Sequence, residues 1–151
     1  MKTRAKFGDI MEVLTPRGMA YFQYMSQNKD YGDLIKILPG IFAERPKRFE
    51  ELAKKEGIFV FYPATLATKR KKASIVATMP ISAEDKRRKI FRTNSMSNNG
   101  HVVTEIVTAD GESYLTESVD LEEKQLPDTE LWNHKMLIHQ IISGGRPEKK
   151  F

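Results

Sequence analysis

Three histidines, His101, His134 and His139, are the chain's imidazoles, and there is no cysteine. Any metal chemistry would therefore rest on imidazole and carboxylate alone. His134 and His139 are five apart, which separates them around a helix instead of placing both on one face. Glu130 and His134 do have i,i+4 spacing, but two ligands are not a metal site. The expectation is no metal and no cofactor. The glycines offer no phosphate cradle, because "SGGRP" lacks a P-loop lysine and a following helix, and "LPGIF" has one glycine. No serine sits in a G-x-S-x-G elbow. Asp9, Glu12, Asp30, Asp33, Glu105, Asp110 and Glu112 could supply a carboxylate pair for acid–base work. With 20 acidic residues, however, some convergence arises without function. The chain reads as a non-enzyme.

Charge patterning carries more. Two basic runs stand out, Lys69, Arg70, Lys71, Lys72 and Lys86, Arg87, Arg88, Lys89. Adjacent cations repel, so such runs lie in water unless an anion joins them. They could contact phosphates and release counterions, but no stacking aromatics interleave with them, which favours a solvated rim. The opposite pattern spans residues 110–123, where Asp110, Glu112, Glu117, Asp120, Glu122 and Glu123 occur without a basic residue. The net charge is +5 and the pI about 9.4, a balance that favours anionic partners.

The elements that must position these residues are mostly short strands. Asp9 to Leu14 and Met19 to Met25 flank "TPRG", where Pro16 and Gly18 suit a tight turn. "LIKILPG" ends a third strand. "RPKRFEELAKKEG" reads as an amphipathic helix, with Pro46 at its first position and Gly57 as its stop. "IFVFYPA" is a buried strand whose pairing ends at Pro63. "ASIVATM" is another strand, and Ser82 can cap one helical turn in "ISAEDKRRK". "IFRTNSM", "HVVTEIVT" and "SYLTESV" form a meander, because Asn-Gly and Asp-Gly steps separate them. The last helix follows Pro127 with Asp128 as its cap, and Leu131, Leu137, Ile138, Ile141 and Ile142 share one face. Ile10, Phe59, Phe61, Ile75, Val103 and Ile106 are the expected sheet core. Tyr21 and Phe22 must face opposite sides of one strand, and core packing is expected for them and for Trp132, the one tryptophan.

This pattern predicts an α+β fold, a strongly curved antiparallel sheet or SH3-like barrel with one inserted helix and a C-terminal helix. At 151 residues the expectation is one domain over 1–143 and a flexible tail over 144–151. The start has no apolar signal region, and the longest apolar run, "IFVFY", is too short to span a bilayer. A cytoplasmic protein without membrane association is expected.

The order of landmarks resembles the bacterial immunity protein family numbered twenty-six. The residues that carry the resemblance are Gly8, Asp9 and Ile10 in the first strand, Ala20, Tyr21 and Gln23 in the second, and Leu126 and Pro127 before the last helix. The resemblance implies a small β-rich cytoplasmic antidote that binds and blocks a toxin delivered by another cell. It implies no catalytic residues. On this reading the partner is a protein toxin and the acidic stretch is the contact surface, suited to a basic partner. The alternative is a nucleic-acid-associated SH3-like module that uses the two basic runs.

Overall fold

The computed structural model describes residues 4–96, 100–129 and 131–143. Its larger sheet holds β1 (Asp9–Thr15), β2 (Gly18–Asn28), β3 (Gly32–Ile37), β4 (Ile58–Phe61) and β5 (Ser74–Thr78). All neighbours are antiparallel, in the order β4-β3-β2-β1-β5. The connectivity is a four-strand meander whose fifth strand returns to the outside of β1. β4 and β5 remain the two outer strands, so the sheet does not close into a barrel. Register shifts at Ile10/Met11 in β1 and at Tyr24/Ser26 in β2 add the local bend that a bulge produces.

This sheet is buried on both faces because its strands alternate two apolar sets. Met11, Phe22, Ile35, Val60 and Tyr62 form one cluster with Trp132 and Leu137. On the other face Leu34, Phe59 and Phe61 meet Phe91 and Val107. Beside them Ile10, Tyr21 and Leu38 pack on Phe49 and Leu52. Phe49 and Leu52 belong to the entry and body of α1 (Glu50–Lys54). Tyr21 and Phe22 are thus both core residues, one in each layer, as their alternation requires. Burying each such side chain contributes roughly 1.5–3 kcal/mol.

The expected second meander is a three-stranded sheet of β6 (Lys89–Met96), β7 (Val102–Thr108) and β8 (Ser113–Thr116), in that order. Gly111 takes φ +88° in the β7–β8 turn, as an Asp-Gly step predicts. Most of the Asn-Gly turn between β6 and β7 lies outside the described residues, as do Glu130 and the tail over 144–151. Residues 126–128 and 131–132 strap the two sheets together. Arg92 N donates to Pro127 O at 3.0 Å, and Trp132 N donates to Phe61 O at 2.7 Å. Parallel bridges pair Arg92 with Asp128 and Phe61 with Leu131.

Several expectations change. The expected single inserted helix is joined by others: α2 (Ala64–Lys69), α3 (Ala83–Arg87) and α4 (Leu121–Lys124). α2 forms where a strand end and basic loop were expected, and Asp33 Oδ2 accepts from Thr65 N at its start, 3.0 Å away. α1 begins at Glu50 and not at Pro46. The terminal helix α5 (His134–Ser143) begins later than expected, with Asn133 Oδ1 accepting from Met136 N at 2.8 Å. Asp128 does not cap it, because the strap holds that residue extended. Leu131 lies outside the helix and is exposed. Ser82 does cap α3, accepting from Asp85 N at 3.0 Å. Of the expected core, Ile10, Phe59, Phe61 and Ile106 are buried, while Ile75 and Val103 are half-buried. Among the described residues no helix is long and apolar enough to cross a membrane.

Candidate partner-binding surface

The acidic residues gather on and around β8. Its residues alternate, with Tyr114 opposite Ile106 and Leu115 opposite Glu105 on β7. β8 ends its sheet, and no strand pairs with its outer side among the described residues. Asp110 and Glu112 lie in the turn before β8, where Asp110 Oδ1 accepts from Glu112 N at 3.0 Å. Glu117 follows β8, roughly 13 Å further at the usual rise per residue. Asp120 and Glu122 come with α4. All five are exposed. Leu115 and Leu121 stand among them, 69% and 74% exposed.

Glu123, the sixth residue of the acidic stretch, is turned inward. Asp120 Oδ1 accepts from Glu123 N at 2.8 Å, and Glu123 Oε1 accepts from Asp120 N at 3.1 Å, a reciprocal capping box. The Tyr114 hydroxyl donates to Glu123 Oε2, which also lies 3.3 Å from Lys89 Nζ. The Tyr114 hydroxyl, the Asp120 backbone and Lys89 together hold the Glu123 carboxyl down to about 2. Burial opposes the charge on Lys89, yet Glu123, with Tyr114 and Asp120, carries its pKa up to about 12. Glu123 is therefore a structural carboxylate. The spacing Asp120-x-x-Glu123 is the sequence signal that could have separated it from its neighbours.

The basic runs sit on different elements. Lys69 closes α2, and Arg70, Lys71 and Lys72 follow it, all exposed. Lys71 takes φ +59°, a left-handed conformation that costs a non-glycine residue about 1 kcal/mol. Lys86 and Arg87 close α3, exposed, with β5 lying between the two runs in the chain. Arg88 reaches over the Phe59 ring, 5.5 Å from its centroid, and pairs with Glu56 at 3.2 Å. Lys89 is committed to the capping box of α4, so the second run offers three cations to solvent instead of four.

The candidate acid–base carboxylates are dispersed, and the buried ones are satisfied. Asp9 Oδ1 accepts from the Thr78 hydroxyl at 2.6 Å. Asp33 accepts from the Tyr24 hydroxyl at 2.8 Å and from Gln27 Nε2 at 3.2 Å. Glu105 accepts from the Tyr31 hydroxyl at 2.7 Å, joining the sheets. Among the described residues no three His, Asp or Glu side chains are grouped to hold a metal ion. His134 Nδ1 lies 2.7 Å from the Tyr62 hydroxyl, and burial, then the charge of Lys72, pushes its pKa below the ordinary value.

Sequence reasoning placed Trp132 in the core, where it is 4% exposed, but missed what surrounds it. Three clefts of about 990, 530 and 410 Å³ meet at this side chain. Its signal was a lone tryptophan just off an apolar helical face. Compared with protein-family models, curated proteins and solved structures, the chain has no match.

Proposed function

We propose that this chain is a non-enzymatic, cytoplasmic binding protein of the immunity type, which neutralises a basic protein toxin. The observation that carries this reading is the surroundings of β8. An outer strand with an open side bears exposed Leu115, has exposed Leu121 beside it, and is framed by five exposed carboxylates. Apolar anchors supply affinity at a protein interface, while surrounding charge steers encounter and selects the partner. The unpaired edge of an outer strand is also a ready template for another chain's strand.

The test is a toxin encoded beside this gene. Co-expression should protect the producing cell, and the two purified proteins should bind. Glu112→Lys, Glu117→Lys and Glu122→Lys together should slow association by about tenfold or more at low salt, since charge acts chiefly on the on-rate. An unchanged on-rate would overturn the acidic contact surface, and failure to protect would overturn the immunity reading.

The second reading is nucleic-acid binding, favoured by the exposure of Lys69 to Lys72 and of Lys86 to Arg88. Replacing these seven by Ser, and leaving Lys89 in its structural pair, should abolish retention of a duplex or single strand in filter binding. Retention should also fall steeply with salt in the wild type. Absence of binding near physiological salt would remove this reading.

A further inference from the structure

A second cleft, away from β8, is built like a small-molecule site. It lies between the end of β3, the start of β4 and the last turn of α5, and holds about 530 Å³. That is within the ~300–1,000 Å³ usual for small ligands. Ile37, Leu38, Ile58 and Ile141 give it apolar walls. Arg88, Gln140 and Trp132 add hydrogen-bond donors to the same lining.

Trp132 is the informative member. Its backbone N–H donates to Phe61 O, but its indole N–H has no acceptor among the described residues. The Ser26 hydroxyl is the one sealed side-chain polar atom without a partner among those residues. The indole N–H, unpaired among these residues and not sealed, belongs to a side chain that lines the clefts. A tryptophan this deeply buried normally finds an acceptor for its N–H. Arg88 rests over Phe59 and is held by a weak partner. Its partner Glu56 is 85% exposed in its side chain, and such a pair contributes little. Glu56 lines the same cleft and holds the guanidinium by one contact at 3.2 Å, so a ligand carboxylate replaces it with a two-bonded fork.

We infer that this cleft binds a small apolar carboxylic acid, with the acid group on the donors of Arg88, Gln140 and Trp132 and the hydrocarbon against Ile37, Leu38, Ile58 and Ile141. The inference is independent of the toxin reading. Because Trp132 is the sole tryptophan, its fluorescence reports on binding in the clefts it lines, and Arg88, which lines this one and neither of the other two, assigns the signal. Titration of the full chain with octanoate should give a saturable change in emission, and calorimetry should give the same affinity. Octylammonium, with the same tail and the opposite charge, should give none, and octanol should bind at least about tenfold more weakly.

Arg88→Gln should weaken octanoate by about tenfold or more while a cooperative urea transition is kept, since the arginine side chain is 42% exposed and its pair with Glu56 contributes little. Equal affinity for octanoate and octanol would overturn recognition of the acid group. So would unchanged affinity in Arg88→Gln. The lack of a saturable signal in both fluorescence and calorimetry up to millimolar octanoate would overturn the site itself.

Discussion

Lys89 and Glu123 form an ion pair at 3.3 Å that ties the first residue of β6 to helix α4. One residue comes from a basic run and the other from the acidic stretch, so two apparently separate charge clusters meet in a structural contact. The pair also makes the fold sensitive to acid. The Glu123 carboxyl ionises near 4.5 when unfolded and is held down to about 2 when folded. Its stabilisation is present above the unfolded value and is lost as pH falls towards the folded one. Glu123→Gln should lower the melting temperature at neutral pH. The gap between variant and wild type should close between about pH 4.5 and about pH 2, which melts across that range would check.

Phe61 is fully buried at the junction of the two sheets, with its ring 5.5 Å from that of Phe91. Phe61→Ala should cost about 3–5 kcal/mol in urea unfolding. Leu14→Ala, at a position 73% exposed, should change stability by less than about 0.5 kcal/mol.

Gly111 and Gly32 separate backbone strain from crowding. Both have positive φ, +88° and +92°. A Cβ at Gly111 would stand 2.4 Å from Gln27 O, whereas one at Gly32 would meet nothing within 4 Å. Each alanine variant should pay about 1–2 kcal/mol for its conformation. Gly111→Ala should lose clearly more, because the β7–β8 turn is pushed off β2. Paired urea melts would measure the difference.

His134 should titrate below its ordinary value of 6.5, because burial and then Lys72 disfavour its charge. Lys72→Gln should raise that pKa in an NMR titration of the imidazole without restoring the ordinary value, since burial remains. The depressed pKa means that the unfolded chain binds the proton more readily. His134 therefore contributes stability above 6.5 that is lost as pH falls through the folded value.

What could be read from the sequence was what local spacing determines. Ser82 caps α3 through a contact three residues away, and the β7–β8 turn follows from Asp110-Gly111. What escaped depends on remote partners. α2 is tethered at its first turn by Asp33, from a strand far earlier in the chain. Asp128 and Asn133 are both plausible caps by type, and the choice falls to Asn133 because the strap draws Asp128 alongside Arg92. Glu123 looked like its acidic neighbours until Tyr114 and Lys89 closed around it. The cleft at Trp132 needed three elements in place before it existed.

The strap also has a consequence for synthesis on the ribosome. Phe61 leaves the exit tunnel long before Leu131 and Trp132, so β4 waits with its outer side unsealed while the intervening chain is made. An unpaired apolar strand is what neighbouring nascent chains and chaperones recognise. The window of vulnerability closes only when residue 132 emerges. Translational stalling just ahead of that point should therefore leave an intermediate that chaperones retain, although every strand of both sheets has already been translated.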